Sequence, residues 1–218
     1  MVMNDRKVNS SEKFLLNMFF FYFSAEKTLK QIERNENYSS LLLALCERST
    51  TPNEIRRAAV IAFKNFVKRN WPSLDESNCI SLKDRNHIKE HIIDLMTRSP
   101  EHIQEQLSDA ITVIGQCDFP DRWSTLLDTM IKQFQQQSTN SFQSINGVLK
   151  TAHSLFERYR YEQKSDELWM EIKLVLERFT PAFTELFKVK SSMEFSFHER
   201  ISFLVVDGLL SAKRIGSR

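Results

Sequence analysis

The chain has 218 residues, and its 30 basic and 28 acidic residues leave a formal net charge of only +2. This balance excludes the strongly basic character by which many nucleic-acid-binding proteins attract phosphates, so we expect no nucleic-acid partner. Only four glycines occur, and none precedes Gly115. Helix-forming residues are plentiful, so the composition favours an all-α fold.

Cys46, Cys79 and Cys117 are odd in number and lack metal-ligand or C-x-x-C spacing, which predicts buried thiols in a reducing compartment. We expect no metal and no cofactor. Residues 14–23 form an apolar run that is too short to span a bilayer, for which about 20 residues are needed. The run could imitate a secretory signal or pack against the first repeat.

The apolar spacing predicts eight amphipathic helices in chain order. The first covers residues 24–35 and the second residues 38–49. The third begins at Thr51, and the fourth covers residues 82–97 after a Ser81 cap with Asp84 at its third position. The fifth begins at Ser99 and Pro100. The remaining three cover residues 123–134, 145–159 and 168–179, the last with a kink at Pro181. Residues 135–144 are predicted to form a polar linker between two of these helices.

The third helix carries the clearest pattern. Thr51, Pro52 and Glu54 predict its start as a hydroxyl cap, a proline in the first turn and a capping-box carboxylate. One apolar stripe is predicted to face the core, and it consists of Ile55, Ala58, Ala59, Ala62, Phe63, Phe66 and Val67.

The opposite side of the third helix is rich in positive charge, with Arg56, Arg57, Lys64, Asn65, Lys68 and Arg69. Lys64 and Lys68 are like charges one turn apart, which disfavours an isolated helix. Such a cluster either faces solvent or meets an acidic partner surface.

Helix pairs recurring at roughly 40 to 50 residues are typical of HEAT or armadillo solenoids, and the four predicted pairs fit that period. Trp71, Trp123 and Trp169 follow the spacing loosely. A globular helical bundle is the alternative architecture.

One enzyme-like motif occurs. His87, Glu90 and His91 match the H-x-x-E-H pattern of inverted zinc proteases. The alternative is a pair of surface histidines beside Lys89 on a polar helix face. The motif needs a third ligand from elsewhere, and His102, His153 and His198 stand alone, so we expect no enzymatic activity.

The segments AFKNFVKRNW and SPEHIQEQLSDAITVIGQCDFPDRW resemble the N-terminal part of the importin-β family, and within it the exporters of importin-α. The similarity runs over residues 24–188. It implies a right-handed HEAT-repeat superhelix whose N-terminal repeats bind the GTP form of the small GTPase Ran. It also implies importin-α as export cargo, contact with nuclear pore proteins, and location in the nucleus and cytoplasm with transit through the nuclear envelope, without insertion into a membrane.

The resemblance implies roles for individual residues in the segments that align with the family. Lys64 would pair with the acidic surface of Ran, and Asn65 would be an adjacent polar contact. Lys68 and Arg69 would extend that contact, whereas Trp71 and Trp123 would be structural residues. A helical scaffold without a GTPase partner is the competing interpretation.

Domain boundaries follow from the extent of the match. Residues 24–98 would hold HEAT repeats 1 and 2, and residues 99–188 repeats 3 and 4. Residues 1–23 and 189–218 do not resemble the family, and we expect both to be read-through or misassigned exon sequence. A fragment of this extent is expected to bind Ran weakly and to export cargo inefficiently.

Overall fold

A computed structural model describes residues 31–33, 35, 37–72, 80–135 and 142–190. These residues form seven α-helices and one short 3-10 segment, Glu157–Arg160, and no strand occurs among them. The chain divides into two compact units, Met1–Tyr38 and Ser39–Arg218. The helices are α1 (Tyr38–Glu47), α2 (Asn53–Asn70), α3 (Leu82–Arg98), α4 (Glu101–Asp118), α5 (Leu126–Gln135), α6 (Phe142–Phe156) and α7 (Asp166–Lys190).

Seven of the eight predicted helices are confirmed in type and approximate position. Most of the first predicted helix, residues 24–35, lies outside the described residues, as do the apolar run at 14–23 and the tail after residue 190. The last helix is longer than predicted, since α7 continues through Pro181 to Lys190.

The second unit is built as a stack of neighbouring helices. In one row α4 packs against α2 on one side and α6 on the other, and in a second row α5 packs against α3 and α7. The rows meet where α3 packs against α4 and α6. Each helix therefore buries its apolar side against the next pair, which is how a solenoid forms a continuous core.

The core matches the predicted stripes of α3 and α4. Buried side chains on α4 are Ile103, Leu107, Ala110, Ile111 and Ile114, and those on α3 include Ile88, Ile92, Leu95 and Met96. Each large aliphatic side chain contributes about 1.5–3 kcal/mol by leaving water. The α3–α4 pair is consequently the best-buried part of the described structure.

The predicted stripe of α2 is partly wrong. The buried residues are Ala59, Val60, Phe63, Phe66 and Val67. Ile55 is 51% exposed, and Ala58 is exposed as well. The buried residues centre on Phe63, on the side of α2 that packs against α4, and they include Val60 in place of Ile55.

One predicted helix start is confirmed and two are wrong. The Ser81 hydroxyl accepts a hydrogen bond from the Asp84 amide at 3.1 Å, as a capping residue should. By contrast, α2 and α4 begin one residue later than predicted, with Pro52 and Pro100 in the cap positions and no side-chain cap. The Ser99 hydroxyl instead donates to Leu95 O at 2.7 Å and closes the end of α3.

Buried polar side chains join α3, α4 and α6, and we call this group the polar seam: Thr97, Gln104, Ser108, Ser144 and Thr151. Gln104 Nε2 donates to Met96 O at 3.4 Å and to Gln143 O at 3.3 Å. The Ser144 hydroxyl donates to Thr97 O at 2.8 Å. Residues 143 and 144, predicted to be part of a loose joint, therefore belong to α6 and tie it to α3.

The turn after α6 is held by a second polar cluster. Glu171 of α7 pairs with Arg158, and its carboxylate accepts a hydrogen bond from Tyr159 Oη at 2.7 Å. Burial and this hydrogen bond raise the pKa of Tyr159 well above its usual range. The cluster fixes the 3-10 segment against α7.

No helix within the described ranges combines the length and the apolar character needed to cross a membrane.

Candidate partner-binding surface

The outward side of α2 presents the predicted partner-binding residues together. Arg57, Lys64 and Lys68 lie at i, i+7 and i+11, which places them in one line along the helix. Asn65 lies beside this line, and Arg57, Asn65, Lys68 and Arg69 are exposed. We call this surface the α2 cationic face: Arg57, Ile61, Lys64, Asn65, Lys68 and Arg69.

Ile61 is a member of this face that the sequence pattern did not identify. It is 38% exposed and lies one turn from Arg57 and one turn from both Lys64 and Asn65. An apolar residue surrounded by cations is suited to a partner surface that is acidic at its rim and apolar at its centre. The signal that could have found it is its i+4 spacing from Arg57.

Lys64 lies at the border of the face and contacts α4. Its Nζ donates to Gln106 Oε1 at 2.6 Å and lies 3.7 Å from Asp109 Oδ2. The Lys64 side chain is only 18% exposed, whereas that of Asp109 is 52% exposed. The predicted repulsion between Lys64 and Lys68 is therefore offset within the chain, because Asp109 supplies a compensating charge.

Arg56 was predicted on the cationic side but faces α1. Its Nε donates to Cys46 O at 2.9 Å, and the Cys46 thiol lies 3.8 Å from Arg56 O. Burial raises the pKa of the Cys46 thiol to about 11, with Arg56 lowering it in part. Cys46 is therefore a buried thiol, as predicted, and Arg56 links two helices.

Trp71 follows α2 and is 1% exposed. The Arg85 guanidinium lies over its ring, with Cζ 4.7 Å from the centroid, and Lys89 Nζ is 5.9 Å from it. Arg85 also donates to Trp71 O at 3.1 Å. Trp71 thus joins the end of α2 to α3 by packing and by cation–π attraction.

Lys89 was predicted on a polar surface, and the structure shows this to be wrong. Its Nζ lies 2.6 Å from Asp118 Oδ2, and the two side chains are only 9% and 1% exposed. Arg122 Nε is 3.1 Å from the other oxygen of Asp118, and Lys89 also donates to Arg122 O at 2.8 Å. Trp123, the residue that follows Arg122 in the sequence, is also buried.

His87, Glu90 and His91 are exposed on α3. The two imidazole rings are 4.5 Å apart in an edge-to-face arrangement. Within the part of the chain that the structure describes, no three or more histidine, cysteine or acidic side chains come together to hold a metal. The third ligand that a zinc protease requires is not assembled there.

Two family models match the chain, the importin-beta N-terminal domain over residues 25–98 and Cse1 over residues 155–200. The chain is 55% identical over 165 residues to Exportin-2 of Xenopus laevis, which covers 75% of this chain and 17% of that protein. It is 54% identical over 165 residues to Exportin-2 of Homo sapiens, with the same coverage. Residues 25–98 therefore match the importin-beta N-terminal domain, and three quarters of the chain is similar to Exportin-2.

Two solved structures support the fold. The exportin Cse1 in its cargo-free, cytoplasmic state matches with a TM-score of 0.68 and 37% identity, over 76% of this chain and 18% of that one. Lph2, a bidirectional nuclear transport receptor of S. cerevisiae, matches with a TM-score of 0.65 at 21% identity, over 85% of this chain and 19% of that one. The predicted all-α HEAT-repeat solenoid is confirmed.

The α2 cationic face lies entirely within the importin-beta N-terminal match at residues 25–98. The Cse1 match runs to residue 200, past the boundary predicted after residue 188. The chain spans about a sixth of the length of these relatives, 17% of each Exportin-2.

Proposed function

We propose that this chain is a segment of a nuclear transport receptor that binds Ran in its GTP form and takes part in the export of importin-α. The family match and the 55% identity to Exportin-2 support the class of function. The receptor would have no enzymatic activity of its own, would contact nuclear pore proteins, and would pass between nucleus and cytoplasm through the nuclear envelope.

The α2 cationic face is the surface that carries the proposal. Lys68 and Asn65 point to solvent, and Ile61 supplies an apolar centre at 38% exposure. Exposed cations attract an acidic partner during approach and set its orientation, while the apolar centre contributes the desolvated contact. Arg69 extends the same face toward the end of the helix.

Lys64 has a different part in the proposed complex. Because its amine already contacts Gln106 at 2.6 Å, pairing with an acidic group of Ran replaces that contact rather than adding one. Its net contribution to affinity is therefore smaller than that of a more exposed cation. Lys68 is expected to contribute more than Lys64.

The nucleotide state of Ran provides the direct test. The chain should retain GTP-loaded Ran on a column and release GDP-loaded Ran, with weak affinity because the segment is short relative to its relatives. Equal retention of both forms, or of neither, would contradict the proposal.

Charge reversal tests the face itself. Lys64→Glu with Lys68→Glu should weaken binding of GTP-loaded Ran on the order of tenfold or more. The matched control is Lys83→Glu with Lys132→Glu, which makes the same change in net charge at exposed positions of α3 and α5. If both double variants lose the same affinity, net charge rather than the α2 face is responsible.

A further inference from the structure

The histidine pair on α3 is a feature that the proposed transport function does not use. His87 and His91 lie one turn apart, both exposed, and their rings are 4.5 Å apart. The opposite side of α3 is anchored in the core through Ile88 and Ile92, both 0% exposed. The two imidazoles are therefore presented to solvent from a rigid helix.

We propose that His87 and His91 form a two-histidine binding site for a divalent transition-metal ion of the zinc or copper(II) class. Imidazole nitrogen is a preferred ligand of both ions. Two ligands on one turn of a fixed helix bind a single ion together, because binding the first places the second at high effective concentration.

The remaining coordination positions are filled by water rather than by carboxylates of α3. Asp94, the acidic residue one turn after His91, has its Oδ2 2.7 Å from Arg98 Nη2 and is engaged there. No third metal-binding side chain joins the pair in the described part of the chain. The site therefore binds a metal without the three-ligand arrangement that zinc catalysis uses.

Metal binding has a consequence for stability. An ion that bridges one turn of α3 binds the folded helix and not the unfolded chain, so it raises the melting temperature by mass action. The metal would stabilise α3, the helix whose other side contributes Lys89 and many other buried residues.

Titration calorimetry of the full chain without a purification tag, with zinc chloride and separately with copper(II) chloride, tests the site. We expect one equivalent to bind, with affinity falling about 100-fold in His87→Ala and in His91→Ala because chelation is lost. His102→Ala and His153→Ala serve as matched controls, since neither histidine has another one turn away, and both should bind as the parent does.

Two further variants make the result decisive. His87→Ala with His91→Ala should abolish both the heat of binding and the metal-induced rise in melting temperature; retention of either would assign the metal to the cysteines and overturn the proposal. Glu90→Gln should leave affinity unchanged, and a loss as large as that of His87→Ala would overturn the two-histidine site in favour of a site with a carboxylate ligand.

Discussion

Lysine side chains have opposite environments in two neighbouring regions of this chain. On α2, Lys68 points to solvent, and Lys64 makes a contact at the rim of α4. On α3, Lys89 is buried against Asp118 at 2.6 Å and against the ring of Trp71. Both helices carry a similar density of charge in the sequence, so charge alone does not distinguish a binding surface from an internal link.

The difference follows from what packs opposite each helix. α3 meets α5 within its own row and α4 and α6 of the other row, and its buried Lys89 therefore requires a partner. On the outward side of α2, Arg57 and Lys68 are exposed. A cation in the sequence can thus be assigned to a partner-binding surface only once it is known whether a neighbouring helix covers it.

Among the changes considered, removing the charge of Asp118, the buried partner of Lys89, should lower the free energy of unfolding most. Asp118→Asn keeps the volume but leaves Lys89 as a buried, uncompensated charge, and we expect a loss of about 3–5 kcal/mol in the free energy of unfolding. Urea denaturation measures it. Combining Asp118→Asn with Lys89→Met should cost less than the sum of the two single changes. Strict additivity would show that the two side chains do not interact.

A buried region without charge sharpens the comparison. Gly147 of α6 lies against Gln104, and an added Cβ would come 2.9 Å from Gln104 Oε1 and closer still to Nε2. Gly147→Ala must therefore displace a buried amide of the polar seam, at a cost of about 1–3 kcal/mol, partly offset by the better helix propensity of alanine. If thermal unfolding shows the variant to be more stable, the seam is not tightly packed.

The rim contact of Lys64 should have a smaller effect on stability. Lys64→Glu places a carboxylate near Asp109 and should cost about 0.5–1 kcal/mol. Adding Asp109→Lys restores an opposite-charge pair with reversed polarity and should recover the stability, while binding of GTP-loaded Ran stays weakened. Recovery of binding together with stability would show that Lys64 acts only within the chain.

Ionisation of the Cys46 thiol is expected to have the smallest effect on stability at neutral pH. Because burial raises its pKa from 9.0 to about 11, the thiol is protonated at pH 8 and should react with iodoacetamide far more slowly in the folded chain than in urea. The neutral thiol is favoured in the folded state, so its contribution to stability is complete below pH 9 and is lost as the pH rises through about 11. Rapid labelling at pH 8 without denaturant would contradict this.

The sequence predicted what depends on local periodicity. The apolar spacing located seven described helices and the core of α3 and α4, and Ser81 was correctly identified as a cap. It did not predict contacts between distant residues. The pairing of Lys89 with Asp118 and of Lys64 with Asp109 arises only when helices stack, and no short-range pattern encodes it.

The candidate surface shows the same limit. The exposed positions of Asn65 and Lys68 follow from helix geometry, because the opposite side of α2 is apolar. Ile61 was missed since an isolated apolar residue among cations does not disturb the helical pattern. The prolines at 52 and 100 were placed inside the helices, although each occupies the position just before its helix.

The polar seam also sets where this array of helices can flex. The hydroxyls of Ser108 and Thr151 lie 2.7 Å apart and are buried between α4 and α6. Rotating one helix past the other would remove this partner from the buried Ser108 hydroxyl, a penalty of about 1–3 kcal/mol, whereas the Thr151 hydroxyl would keep its bond to Gly147 O. We therefore expect the hydrogen bonds of the polar seam to resist sliding of α4 and α6 past each other and of α6 past α3.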